Sequence, residues 1–131
     1  MKTLILISFS LCFTTSIHSQ TKTIKVKKET NTNIDNGKKL FRQHCSPCHS
    51  ETDQKLTAPP LIGVTKRLES KWLISWVKSS TDLIKSGDKY ANELYELWGA
   101  GQPDYKFLTD KQIKDIFTFT DTFAPKPKTK K

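Results

Sequence analysis

Cys45-Ser46-Pro47-Cys48-His49 is the stretch that decides the fold. Two thiols three residues apart can reach the two vinyl groups along one edge of a haem. The imidazole that follows is then delivered beneath the iron. Other uses of a close cysteine pair fit less well. A zinc site wants four ligands, usually two separated pairs, and the one other cysteine is Cys12. A thioredoxin-like redox site wants a βαβ setting, and no segment alternates with the period of a strand. A plain disulfide leaves the adjacent histidine as a coincidence. The pattern therefore implies one covalently bound haem, attached through Cys45 and Cys48 and ligated by His49.

The sequence around this motif is helical in pattern. Ile34, Gly37, Leu40, Phe41 and His44 fall at helical spacing and predict a short amphipathic helix leading into the cysteines. Residues 45–63, with Pro47, Pro59, Pro60 and Gly63, predict a loop. A second helix is expected to start near Ser70 as N-cap, with Trp72, Leu73, Trp76 and Val77 as its apolar stripe. Residues 79–88 (SSTDLIKSGD) read as a connection. Tyr90, Ala91, Leu94, Tyr95, Leu97 and Trp98 give a third helix, stopped by Gly99 as a left-handed cap. Gly101-Gln102-Pro103 makes a loop, and Thr109 with Gln112 forms a capping box for a last helix. Its buried face is Ile113, Ile116, Phe117, Thr120 and Phe123. The expected fold class is all-α, with about four helices wrapped around one haem.

A chain of 131 residues suits one domain, and a small core gains from a large apolar cofactor at its centre. The first twenty residues differ from the rest. Lys2, then the apolar run of residues 4–13 (LILISFSLCF), then small and polar residues have the anatomy of a secretory signal peptide. Cleavage after Ser19 or Gln20 would remove Cys12 and His18. The apolar run falls well short of the roughly 20 residues that span a bilayer, so no stable membrane insertion is expected. The net charge of +9 is concentrated at the ends. Lys22, Lys25, Lys27 and Lys28 precede the domain, and Lys126, Lys128, Lys130 and Lys131 follow it. Between them the charges nearly balance. Residues 21–33 and 124–131 are therefore expected to be disordered basic tails, flanking a domain at 34–123. An exported protein with no nucleic-acid motif is not expected to bind nucleic acid.

Over nearly all of residues 33–123 the sequence resembles the class I monohaem cytochromes c. Gly37-Lys-Lys-Leu-Phe41, followed by Cys45-Ser-Pro-Cys48-His49, resembles the family's first helix and haem motif. Ala58-Pro59-Pro60-Leu61-Ile-Gly63 resembles its proximal loop, where a proline carbonyl accepts the hydrogen bond from the haem histidine. A ligating histidine normally donates its other ring nitrogen to such a partner, and Pro59 stands in place to provide it. The resemblance further implies a haem c cofactor and a close approach of the first and last helices at Gly37.

One departure stands out. The family usually supplies a methionine as sixth iron ligand, just before the last helix, and the chain's sole methionine is Met1. Gln102-Pro103 occupies the corresponding place. Three states fit: Gln102 bound through its amide oxygen, an open iron with Gln102 nearby, or another residue such as Lys106 instead. His44 is tethered beside Cys45 and is better read as structural. Trp72, Trp76 and Trp98 are core or haem-contacting groups, each with an indole N–H to offer a haem propionate. The implied function is one-electron transfer to and from redox partner proteins, in the periplasm and without enzymatic activity. The rival is a haem protein that binds or senses NO, CO or O2 at a weakly held sixth position.

Overall fold

The first and last helices of the domain cross at a glycine, and that crossing sets the frame for everything else. The computed structural model describes residues 20–125. Residues 1–19, where a signal peptide is expected, and 126–131 of the expected C-terminal tail lie outside the described residues. The helices are α1 (Gln20–His44), α2 (Val64–Arg67), α3 (Ser70–Lys78), α4 (Ser80–Lys85), α5 (Lys89–Trp98) and α6 (Asp110–Thr120). No strand occurs among the described residues, and the fold is all-α.

At the α1–α6 crossing, a Cβ on Gly37 would sit 1.9 Å from the carbonyl oxygen of Asp115. No residue larger than glycine fits there without moving backbone. Buried Asp115 is satisfied at the same point by Asn36 Nδ2 at 2.7 Å and Lys111 Nζ at 2.9 Å. Below the crossing, fully buried Phe41 meets Phe119 and Phe123 edge-on at 5.6 and 5.2 Å. These are favoured quadrupole geometries. Leu40, Ile113, Ile116 and Phe117 complete this core, and Leu73 and Val77 of α3 close it from the side.

Helix α6 starts at the capping box, with Thr109 accepting from the Gln112 amide and the Gln112 side chain accepting from the Thr109 amide. Helix α5 ends at Gly99, whose φ of 68° is left-handed.

Three local expectations need correction. Residues 21–33 belong to α1 and are not a disordered tail. The stretch contains neither glycine nor proline, so the packed turn at residues 34–41 propagates backward at little cost per residue, and Lys111 Nζ bonds Asn33 Oδ1 at 3.1 Å. Residues 79–88 are not merely a connection: Ser79 accepts from the Asp82 amide and starts the short α4. Ser70 is the first residue of α3, with extended Glu69 as its N-cap.

The two sides of the molecule are unequally filled. Helix α5 packs chiefly on α4, and Ala91 is its one buried residue. Leu97 on the same helix is 72% exposed.

Candidate functional site

Helix α1 delivers the cysteine motif by tightening as it ends. The Cys45 and Ser46 amides both donate to the Phe41 carbonyl, at 2.7 and 2.9 Å. The Cys48 and His49 amides then both donate to the Cys45 carbonyl, at 3.1 and 2.9 Å. Pro47, lacking an N–H, cannot continue the ladder. This winding presents Cys45, Cys48 and His49 from a single compact turn. The Ala58 amide donates to the Cys48 carbonyl at 3.2 Å, which folds the proline loop back over the motif.

That return brings Pro59 to the histidine. His49 Nδ1 lies 2.7 Å from the Pro59 carbonyl oxygen. A carbonyl can only accept, so Nδ1 carries the proton, and in the neutral ring Nε2 keeps its lone pair. Burial lowers the His49 pKa, against the opposing effect of the Pro59 hydrogen bond. Burial thus favours the neutral ring, the form that binds a metal. Burial, and then the neighbouring Cys48, push the Cys45 thiol up to about 11. Both cysteines are free thiols, Cys45 half-buried and Cys48 exposed.

These donors fit a haem. Two unoxidised thiols and an imidazole lone pair leave one turn together, and the domain carries apolar side chains that polypeptide does not cover. Leu61, Leu68, Trp72, Ile74 and Tyr105 touch the core but are only partly buried. Leu56, Tyr95, Leu97 and Phe107 are exposed. A flat apolar macrocycle would cover such surface, at roughly 25 cal/mol per Å² of stabilisation. A bare ion has no comparable site, since no cluster of three or more His, Cys, Asp or Glu occurs among the described residues.

Gln102 is half-buried in the loop between α5 and α6. No hydrogen bond joins it to Cys45, Cys48 or His49 among the described residues. Its carbonyl accepts from Ser80 Oγ at 2.5 Å. Lys106 is engaged elsewhere, 2.9 Å from Asp82 and 3.9 Å from Asp104. The His44 ring packs against Tyr105 and Phe107, with centroids at 5.7 and 5.4 Å. The Trp72 indole donates to Asp88 Oδ1 at 3.2 Å, on the cap of α5.

Sequence reasoning missed Ser80, whose hydroxyl reaches the loop of Gln102. The available signal was Ser79-Ser-Thr-Asp82, a helix-start pattern that would have placed a helix beside that loop. It also missed Tyr105, whose hydroxyl donates to the His44 carbonyl at 2.8 Å and ties the same loop to the end of α1.

A small all-helical domain that presents two cysteines and a histidine from one turn, and carries uncovered apolar surface, defines a haem-attachment domain. Residues 34–123 match the Cytochrome c family, and the chain belongs to it. Among solved structures, a cytochrome c from Rhodothermus marinus is similar at 22% identity and a TM-score of 0.60, covering 69% of this chain and 75% of that one. The cytochrome c domain of the pp3183 protein from Pseudomonas putida is similar at 26% identity and a TM-score of 0.56, over 65% and 84% of the two chains. An engineered Rhodothermus marinus cytochrome c bound to a carbene intermediate shares the fold at 21% identity and a TM-score of 0.58, over 69% and 75%. No curated protein matches the chain.

Proposed function

We propose that this protein is an exported, periplasmic one-electron carrier holding a single haem c on Cys45 and Cys48, with His49 as axial ligand and Gln102 at the sixth position. The observation that carries the proposal is the His49–Pro59 hydrogen bond of 2.7 Å, which fixes the imidazole tautomer and leaves Nε2 for iron. When bound, the haem supplies the one-electron couple. The chain's residues attach it, orient the imidazole, exclude water along the α1–α6 core and tune the iron. The partners are redox proteins, and the role is that of a carrier, not an enzyme. Acidified-solvent extraction of the purified protein should leave the haem on the polypeptide; colour in the organic phase would rule out thioether attachment.

Gln102 motivates a second reading. An amide oxygen is harder than a thioether and lacks its preference for ferrous iron, so the potential should lie below that of a His/Met site, within a range of about 0.8 V open to axial tuning. A weak ligand also admits NO, CO or O2. Rapid CO binding to the reduced protein favours that ligand-binding role, and no binding leaves electron transfer. Gln102→Met should raise the potential and give low-spin spectra, while Gln102→Ala should keep the haem and open the iron to CO. Wild-type spectra and potential in both variants would mean that another group holds the sixth position.

A further inference from the structure

One buried hydroxyl holds the loop that carries Gln102. Ser80, the first residue of α4, has no exposed surface, and its Oγ donates to the Gln102 carbonyl at 2.5 Å. Gly101 is pressed onto the same group. A Cβ there would lie 2.8 Å from Ser80 Oγ and 3.4 Å from Ile84 Cδ1. Further along, the Tyr105 amide donates to the Val77 carbonyl at 3.1 Å, and Ser79 Oγ donates to Asp104 Oδ2 at 2.8 Å. Residues 101–105 are thus fastened to the α3–α4 corner, and of these bonds Ser80's is the one that acts on residue 102. A donor on a carbonyl restrains the orientation of that peptide. Pro103 already restricts the backbone of the residue before it, so together the two narrow the direction of the Gln102 Cα–Cβ bond.

We propose that Ser80 is a positioning residue for the sixth iron position: it pins the Gln102 peptide, aims the side chain at the haem and prevents the loop from swinging away. The proposal rests on Gln102 as the sixth-position residue. Ser80 acts through Gln102 and does not touch the cofactor. Ser80 engages the Gln102 carbonyl, and the side-chain amide is the group that residue 102 would offer the iron.

The test uses the haem-loaded protein and four variants: Ser80→Ala, Gly101→Ala, Gln102→Ala and the Ser80→Ala/Gln102→Ala double variant. Ser80→Ala removes the donor but keeps a small side chain, and Gly101→Ala keeps the donor but pushes the loop off it. Both should shift the ferric spectrum toward high spin with the haem still attached. Losing one buried hydrogen bond should speed amide exchange in residues 101–105 by about fivefold or more. In the Gln102→Ala background, Ser80→Ala should add no further spectral change, because the group it positions is gone. An equal spectral change with and without Gln102 would overturn the proposal. A changed spectrum in Gln102→Ala beside wild-type spectrum and exchange in Ser80→Ala would remove the proposal alone. A wild-type spectrum in Gln102→Ala would remove the assignment of residue 102, and the proposal with it.

Discussion

The α1–α6 side and the α5 side of this domain are built on different terms. At the α1–α6 crossing the protein supplies its own partners: backbone meets backbone at Gly37, Asp115 is buried with Asn36 and Lys111, and Phe41 is enclosed by Phe119 and Phe123. On the other side α5 buries little beyond Ala91 and leaves Tyr95 and Leu97 open. Yet α5 is well formed, with Asp88 capping its start at 2.8 Å from the Ala91 amide and Gly99 ending it. Local signals can therefore specify a helix that packs chiefly on one short neighbour, α4. One side is held by packing that is already present; on the proposed reading, a bound haem would complete the other.

The strongest way to break this contrast is to prevent attachment. Replacing both Cys45 and Cys48 by Ala should cost most of the native helicity by circular dichroism, because so small a core depends on the haem for much of its buried surface. Residual amide protection should concentrate in α1 and α6. Full native helicity without haem would show that the α5 side needs no completion. The complementary experiment attacks the self-sufficient side. Gly37→Ala places a methyl 1.9 Å from the Asp115 carbonyl oxygen; relieving it requires the two helices to separate, and overpacking of this kind costs about 1–3 kcal/mol, occasionally more. Denaturant unfolding of the haem-loaded protein measures the loss. A change under about 0.5 kcal/mol, the usual range for surface substitutions, would mean that the crossing is looser than it looks.

What could be read from sequence follows the same divide. The capping box of α6, the αL stop at Gly99 and the apolar stripe of α6 are local patterns, and each was legible. The close approach at Gly37 came only through resemblance, since one glycine in a helical pattern does not say what presses on it. Short α4 and α2 were not seen, because four to six residues give too few turns for periodicity to register. The helix over residues 21–33 was missed for the opposite reason. Composition favoured disorder, and continuation of a helix packed further along the chain outweighed it. At the site, the cysteine motif and His49 are contiguous and plain, whereas the bond from Ser80 to residue 102 joins residues far apart in sequence and follows no periodic pattern.

A smaller effect sharpens the contrast within α6. Thr109→Ala removes the side chain that accepts from the Gln112 amide and should cost about 1 kcal/mol by denaturant unfolding. Because α6 belongs to the self-sufficient side, the haem spectrum should not change. A shifted spectrum would tie the α6 start to the haem pocket and blur the division.

The smallest effect belongs to the ion pair on the loop of the α5 side. Lys106 lies 2.9 Å from Asp82. Its hydrogen bond is the main cause that holds the Asp82 carboxyl below its ordinary value, and Asp82 in turn raises the Lys106 pKa. The signs define a window. A depressed carboxylate pKa stabilises the fold above the unfolded value and loses that contribution as pH falls through the folded one. A raised ammonium pKa stabilises below the unfolded value and loses it as pH rises through the folded one. The pair's contribution should therefore be flat between about pH 4 and pH 10. Both groups are largely exposed, so screening by salt keeps that contribution small. Lys106→Ala should leave the melting temperature unchanged at neutral pH in physiological salt, with a difference emerging only at low ionic strength. It should also leave the haem spectrum as it is, since the lysine is paired with Asp82. A spectral change in Lys106→Ala would place its amine at the iron, and the loop's ligand would then be Lys106 in place of Gln102.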